Sequence, residues 1–228
     1  MPRTQGLEPR DLLLGLLSCA ASATDVIAFL RLHQVFTSAM TGNTALLGMA
    51  LGQGRLTAAL LSLLALAGYV GGAALGALVL RHDPRHELRD ILGLEALVLL
   101  AITVLWWSHG FPAPGPLLQL SVVGSALAMG LQSVAARKMP VDGVPTVVFT
   151  STLTSLVMTC MQVGVRGRPG SLFPARRQAL AFAIYAASAV LTAALLRWRE
   201  PVAAAVPLCA VLAALGVQRV LARGRPAS

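Results

Sequence analysis

Six stretches of the chain are apolar over a length that can cross a lipid bilayer. They occupy residues 12–30, 56–80, 91–107, 117–136, 179–196 and 202–220. A transmembrane helix needs ~20 mostly apolar residues, because hydrocarbon offers no water to satisfy its backbone groups. The pattern therefore predicts an all-α membrane protein with six transmembrane helices.

Two further apolar segments, 35–52 and 144–163, are barely long enough to cross and are interrupted by Thr, Ser and Gly. The first contains VFTSAMTGNTALLG and the second VVFTSTLTSL, which share F-T-S-x-x-T when their phenylalanines are aligned. That alignment pairs three residues of the first segment, Thr37, Ser38 and Thr41, with Thr150, Ser151 and Thr154 of the second. The recurrence at an equivalent place in each half marks both segments as candidates for a functional site.

The positions of the basic residues decide whether these segments cross, since Lys and Arg concentrate in cytoplasmic loops. If neither segment crosses and both termini are cytoplasmic, 14 of the 18 basic residues lie inside. If only the second crosses, the split is 9 to 9, and if both cross it is 10 to 8. We therefore expect six spans and two interrupted or re-entrant segments, with both termini in the cytoplasm.

This topology divides the chain into two three-span halves of opposite orientation, residues 12–108 and 117–220. A cytoplasmic N-terminal segment, 1–11, and a cytoplasmic tail, 221–228, flank them. Each half reads span, interrupted segment, span, span, which is the pattern of an inverted repeat. Non-helical backbone at membrane depth is tolerated where protein buries it or where it lines a watery cavity. We therefore expect the two interrupted segments to meet near the midplane, with Asn43 close to Thr150.

Composition and charge support the membrane class. The chain is 56% hydrophobic and 12% charged, whereas about 25% of residues are charged in a soluble domain. The net charge of +9 is spread in short clusters between apolar runs, so it indicates cytoplasmic loops rather than a nucleic-acid partner. Ala21-Ser22-Ala23 resembles a signal cleavage site, but further apolar segments follow at once, which favours a retained first helix.

Signatures of metal, cofactor and enzyme sites are missing from the sequence. The three cysteines lie far apart in apolar segments, and Pro84 interrupts the helix that would bring His82 and His86 together. There is no H-E-x-x-H, G-x-S-x-G or phosphate-binding P-loop motif. We therefore expect no enzyme activity, no metal and no cofactor.

Asp25 is the sharpest single residue, because it lies deep within the first span. A lone acid at that depth costs about 2.5–3.5 kcal/mol on insertion scales and normally has a partner or faces water. The functional interpretation is a proton or cation relay, and the structural one is an ion pair or helix–helix hydrogen bond. Arg31 lies six residues further on and off the same helical face, so Arg137 across the bundle is a candidate partner.

Polar side chains of the two interrupted segments could hold a small polar or anionic solute, because broken helices expose N–H groups that favour anions. The alternative is that these residues cap short helices or join helices by hydrogen bonds. Gln132, polar in an otherwise apolar span, is a candidate second-half counterpart of Asp25. The candidate substrate-binding set is Asp25, Thr37, Ser38, Thr41, Gly42, Asn43, Gln132, Arg137, Thr150, Ser151 and Thr154.

Gly68, Gly72 and Gly76 form a stripe at four-residue spacing within the second span. Such a stripe lets two helices approach closely in lipid. Packing within one bundle is the default interpretation, and a homo-oligomer formed through these glycines is the alternative.

Two long segments, TDVIAFLRLHQVFTSAMTGNTALLG and GLQSVAARKMPVDGVPTVVFTSTLTSL, resemble the bacterial YoaK family of small membrane proteins of unknown function. The resemblance covers nearly the whole chain and implies a bacterial inner-membrane protein, but it supplies no substrate and no binding residues. The matching positions are Asp25, Phe36, Ser38, Met40, Thr41, Gly42, Asn43, Gly130, Leu131, Gln132, Arg137, Thr150 and Thr154.

Two functions fit the sequence. The first is a small secondary transporter or permease for a small polar or anionic solute or an ion, with a midplane site. The alternative is a non-transporting scaffold or sensor whose cytoplasmic arginines bind anionic membrane lipid or a partner protein.

Overall fold

The computed structural model describes residues 9–80, 87–110, 115–138 and 172–223, with the four further positions Thr154, Val157, Met158 and Met161. The four long described ranges form seven helices, and short turns join the helices within 9–80 and within 172–223. The helices are α1 (Pro9–Arg31), α2 (Met40–Gly52), α3 (Leu56–Val79), α4 (Glu87–His109), α5 (Pro116–Lys138), α6 (Leu172–Trp198) and α7 (Glu200–Arg223).

Six of these helices are long and apolar enough to cross a membrane, which confirms the six predicted spans. The crossing segments are 11–31, 56–79, 88–109, 116–138, 176–198 and 200–221. Helix α2 has only 13 residues, about 20 Å of helix against a hydrocarbon core of about 30 Å. The structure therefore makes the chain an all-α, multi-pass membrane protein, with α2 as a short additional helix within the range 9–80.

Side-chain contacts fix the direction of each helix along the bundle. Asp11 pairs with Arg177 at what we name the first end, and Arg31 bonds the carbonyl of Leu196 at the second end, so α1 and α6 run parallel. Gln132 on α5 reaches Leu17 in the first half of α1. Helix α5 therefore finishes, and α6 starts, at the first end.

The two halves of the chain exchange their first helices. Helix α1 packs mainly against α6 and α7, whereas α5 packs mainly against α3 and α4, and α4 contacts α7. Helices α1 and α5 are accordingly the most buried of the six spans. Helices α1 and α5 thus each pack mainly against helices that lie far from them in the chain or on the other side of residues 109–116, α1 against α6 and α7 and α5 against α3 and α4.

The glycine stripe on α3 is used within the chain. A Cβ on Gly68 would lie 2.6 Å from the carbonyl oxygen of Val123 on α5. Gly72 faces the backbone at Leu127, and Gly130 on α5 faces the backbone of α3 in return. The stripe thus serves close helix–helix packing, which agrees with packing inside one bundle and leaves the predicted homo-oligomer through Gly68, Gly72 and Gly76 without support.

Candidate functional site

The chain reverses direction directly after α1. His33 and Gln34 have φ values of 59° and 62°, in the left-handed region that few residues other than glycine adopt. The chain then runs back to place Thr37 and Ser38 beside Asp25. Asp25 precedes the end of α1 by six residues, about 9 Å of helix. The break in the first interrupted segment therefore lies inside the bundle.

Asp25 holds this break through its carboxylate. Its Oδ1 accepts hydrogen bonds from the backbone N–H of Thr37 at 2.7 Å, the Thr37 hydroxyl at 2.9 Å and the backbone N–H of Ser38 at 2.8 Å. Its Oδ2 accepts from the Ser38 hydroxyl at 2.5 Å and the Tyr185 hydroxyl at 3.1 Å. The residue is 3% exposed. One oxygen thus binds two backbone N–H groups and one hydroxyl, and the other binds hydroxyl groups only.

Asn43, in the first turn of α2, supplies a second anchor. Its Oδ1 accepts from the backbone N–H of Phe36 at 2.9 Å, and its Nδ2 donates to the Phe36 carbonyl at 2.6 Å. Gly42 leaves space for the Phe36 ring, since a Cβ there would lie 3.1 Å from it. Because unsatisfied backbone is costly at membrane depth, the M-T-G-N motif has a direct structural reason: it satisfies the backbone of the break.

Thr41 does not join this cluster. Its side chain is exposed, as is that of Thr44, whose hydroxyl donates to the carbonyl of Met40 in its own helix. The broken segment thus brings together Asp25, Thr37, Ser38 and Asn43, and leaves Thr41 on the outer face of α2.

Arg137 is exposed near the end of α5, and no ion pair joins it to Asp25 among the described residues. Arg137 was one candidate partner of Asp25; among the described residues, hydroxyl and backbone groups bind that carboxylate instead. Gln132 is fully buried, and its Nε2 donates to the carbonyl of Leu17 at 2.9 Å. Leu17 precedes Asp25 by eight residues, about 12 Å along α1, so Gln132 lies at a different depth.

The second interrupted segment is only sparsely described. Thr150 and Ser151 lie outside the described residues, and Thr154 is an exposed helical residue. The approach of Asn43 to Thr150 therefore stays a prediction.

Comparison with known proteins decides the family. A family model described as "Protein of unknown function (DUF1275)" matches residues 13–218. The chain belongs to the DUF1275 family. It is 33% identical over 152 residues to the "UPF0700 transmembrane protein YoaK" of Bacillus subtilis (strain 168), a match covering 65% of this chain and 66% of that protein. These matches confirm the resemblance to the YoaK family. No solved structure matches the chain.

Tyr185 of this DUF1275 protein binds Asp25, although the sequence analysis did not include it among the candidate site residues. It reaches Asp25 from α6, 160 positions away. The available signal lay on α1, where Ser18, Ser22 and Asp25 recur at helical spacing and define one polar face. That face meets α6, since the Ser22 hydroxyl donates to the carbonyl of Tyr185 at 2.7 Å.

Glu95 in α4 was also missed as a candidate. It is fully buried, and neither of its carboxylate oxygens accepts a hydrogen bond from any described residue. The sequence placed Glu95 near the charged end of its span, and only the packing of neighbouring helices shows the depth of its burial.

Ion pairs tie α1 of the DUF1275 protein to the second half at both ends. Asp11 lies 2.7 Å from Arg177 at the first end, and Arg31 binds Glu200 at the second. Within the described residues, no group of three or more His, Cys, Asp and Glu side chains gathers at one place. The site is therefore built from one carboxylate, hydroxyl groups, an amide and backbone groups.

Proposed function

We propose that this DUF1275 protein is a small secondary transporter for a small polar or anionic solute, coupled to proton binding at Asp25. The observation that supports this most is that the two carboxylate oxygens of Asp25 have different hydrogen-bond donors. Oδ1 is bound by two backbone N–H groups and a hydroxyl, and Oδ2 by two hydroxyls. Enzyme activity is not part of the proposal.

The arrangement suits a proton relay, because hydroxyl groups accept hydrogen bonds as well as donate them. A proton on Oδ2 is donated to Ser38 or Tyr185, whose hydroxyls turn round to accept it. The backbone bonds to Oδ1 remain in place but weaken, since charge-assisted hydrogen bonds are about twice as strong as neutral ones. Proton binding at Asp25 therefore loosens the hold on the broken segment without releasing it.

The solute would bind beside that segment, at the N-terminal end of α2. No side chain caps this helix at Ala39, so N–H groups of its first turn are available to an anion. Thr41 and Thr44 add hydroxyls on the exposed face of the same turns.

The proposed architecture is an inverted repeat in a bacterial inner membrane, with both termini cytoplasmic and the two interrupted segments re-entrant. The exchanged packing of α1 and α5 supports it, because a two-fold axis that interchanges the halves also interchanges these contacts. The second segment would then meet the first near the midplane through Thr150, Ser151 and Thr154.

The test uses the purified protein in liposomes that contain a pH-sensitive dye. Gradients of inorganic phosphate, sulfate and short mono- and dicarboxylates are imposed in turn, and the internal pH is followed. We expect at least one solute to drive a pH change that Asp25→Asn abolishes, since Asn keeps the shape of Asp and removes the titrating group. Asp90→Asn is the matched control, because Asp90 is exposed and pairs with its neighbour Arg89. Equal pH changes in Asp25→Asn and the unmodified protein would refute the relay.

One observation favours the alternative, a scaffold or sensor that binds anionic lipid or a partner protein. Both oxygens of Asp25 and both polar atoms of the Asn43 side chain are already bound by the protein itself, as in a purely structural lock. The two functions differ in hydration of the site. Ser38→Cys should react with a water-soluble thiol reagent in a transporter and should resist it in a solidly packed scaffold.

A further inference from the structure

Glu95 carries a carboxyl group in the membrane interior without a described partner. The residue is 0% exposed and lies in the span 88–109. Leu92, Ala96 and Leu99 on the same helix belong to the buried apolar cluster. An ionised carboxylate without a hydrogen-bonded or charged partner is too costly in such surroundings, so the group takes up a proton or a cation instead.

The register of α4 against α5 brings Glu95 level with Gln132. The two helices run antiparallel, with Trp106 Nε1 donating to Ser121 Oγ at 3.0 Å. Eleven residues back along α4 from Trp106 is Glu95, and eleven forward along α5 from Ser121 is Gln132. Eleven residues are close to three full turns, so both side chains return to the faces that Trp106 and Ser121 present to each other.

Gln132 offers the acceptor that a protonated Glu95 needs. Its Nε2 is used by the carbonyl of Leu17, and its Oε1 has no hydrogen-bond donor among the described residues. The two side chains therefore hold three acceptor oxygens that receive no hydrogen bond from the described residues. A single proton on Glu95 creates one donor and pairs it with an acceptor.

The helices packed on α4 supply no positive charge at this depth. Helix α5 has no charged residue between 116 and 136. Between 201 and 218, the one titratable side chain of α7 is the exposed thiol of Cys209. On α3 the only titratable group is Tyr69, whose hydroxyl bonds Ser133. Three oxygens are also too few for a metal cation, which takes about six oxygen ligands or more. A proton is the occupant that fits.

We propose that Glu95 is a second proton-binding site in the membrane interior, one that shares its proton with Oε1 of Gln132. The site lies about 12 Å along the bundle from Asp25, by the eight residues that separate Leu17 from that acid. It does not depend on the transport activity proposed above.

Infrared difference spectroscopy of the full chain in lipid tests this directly, because a protonated carboxyl group has a carbonyl band that a carboxylate lacks. We expect the unmodified protein to show this band at neutral pH. Glu95→Gln should remove the band completely, since the amide has nearly the same size and no acidic proton. Gln132→Leu should shift the band without removing it, because the acceptor is lost and the acid is kept.

Two variants serve as controls. Glu200→Gln replaces a glutamate that is ion-paired with Arg31, and Asp25→Asn replaces another buried acid, so both should leave the neutral-pH band in place. Absence of the band from the unmodified protein at neutral pH, a measurement that needs no variant, would overturn the proposal. Its persistence in Glu95→Gln would do the same, as would thermal stabilisation by Na⁺ at constant ionic strength that requires Glu95.

Discussion

Replacing Asn43 by Ala should release the broken segment after α1. The side chain of Asn43 satisfies both the N–H and the C=O of Phe36, and it is 0% exposed. Each buried polar group left without its partner costs about 1–3 kcal/mol, so the two together destabilise the docked segment by about 2–6 kcal/mol. At the lower limit the undocked state becomes about 30-fold more populated, since every 1.4 kcal/mol is a factor of ten.

Hydrogen exchange of the backbone amides of Phe36, Thr37 and Ser38 measures this population. These amides exchange only when the segment leaves Asn43 and Asp25, so their exchange should accelerate by at least that factor while amides in the middle of α5 stay protected. Thr41→Ala is the matched control, because Thr41 is exposed two residues away. Unchanged exchange in Asn43→Ala, or equal acceleration in Thr41→Ala, would refute the anchoring role.

Three other predictions concern packing, the site and topology. Gly68→Ala should lower the melting temperature, because its Cβ would lie 2.6 Å from the Val123 carbonyl oxygen. Gly71→Ala, whose Cβ would have no atom within 4 Å, should leave the melting temperature unchanged or raise it slightly. Equal effects of the two variants would contradict the close packing of α3 on α5. Tyr185→Phe removes one hydroxyl from the buried carboxylate and should slow proton-coupled flux while the protein still accumulates in the membrane; undiminished flux would exclude this hydroxyl from the relay. Single cysteines placed in 164–177 should react only with reagents that reach the cytoplasm, and labelling from the other face would overturn the predicted orientation.

The six spans and the break after α1 were predictable because both are local properties of the sequence. The length of an apolar run decides whether it can cross a bilayer, and M-T-G-N places a small residue and an amide where a broken helix needs them. Asp25 was singled out because a lone acid within a span normally has a partner or faces water, and the structure shows it bound by hydrogen-bond donors. The sequence did not show which groups bind Asp25, because an arginine and a set of hydroxyl and backbone donors satisfy a carboxylate equally well. The fold determines which of these donors lie next to it.

Contacts distant in sequence account for the features that the sequence did not predict. Tyr185 reaches the site only because α1 packs on α6. The spacing of polar residues along α1 shows that the helix has a polar face, but it does not show which helix that face contacts. Glu95 stands near charged residues in the sequence, so its burial is set by α5 and α7 rather than by its neighbours in the chain. The glycine stripe predicted a close helix–helix contact. The fold was needed to show that the contacting helix is α5 of the same chain.

The exchange of first helices between the halves has a consequence for synthesis. Asp25 is made early, but the tyrosine that binds it follows 160 residues later. At ~5–20 residues per second, the interval is on the order of 10 to 30 s. During that time α1 lacks α7 and a complete α6 to cover its polar face. The break at Thr37 and Ser38 is made within a few seconds of Asp25, so it can satisfy the acid until α6 arrives. The hydrogen bonds from Thr37 and Ser38 can thus satisfy the carboxylate of Asp25 in the nascent chain until α6 has been synthesised and packs against α1.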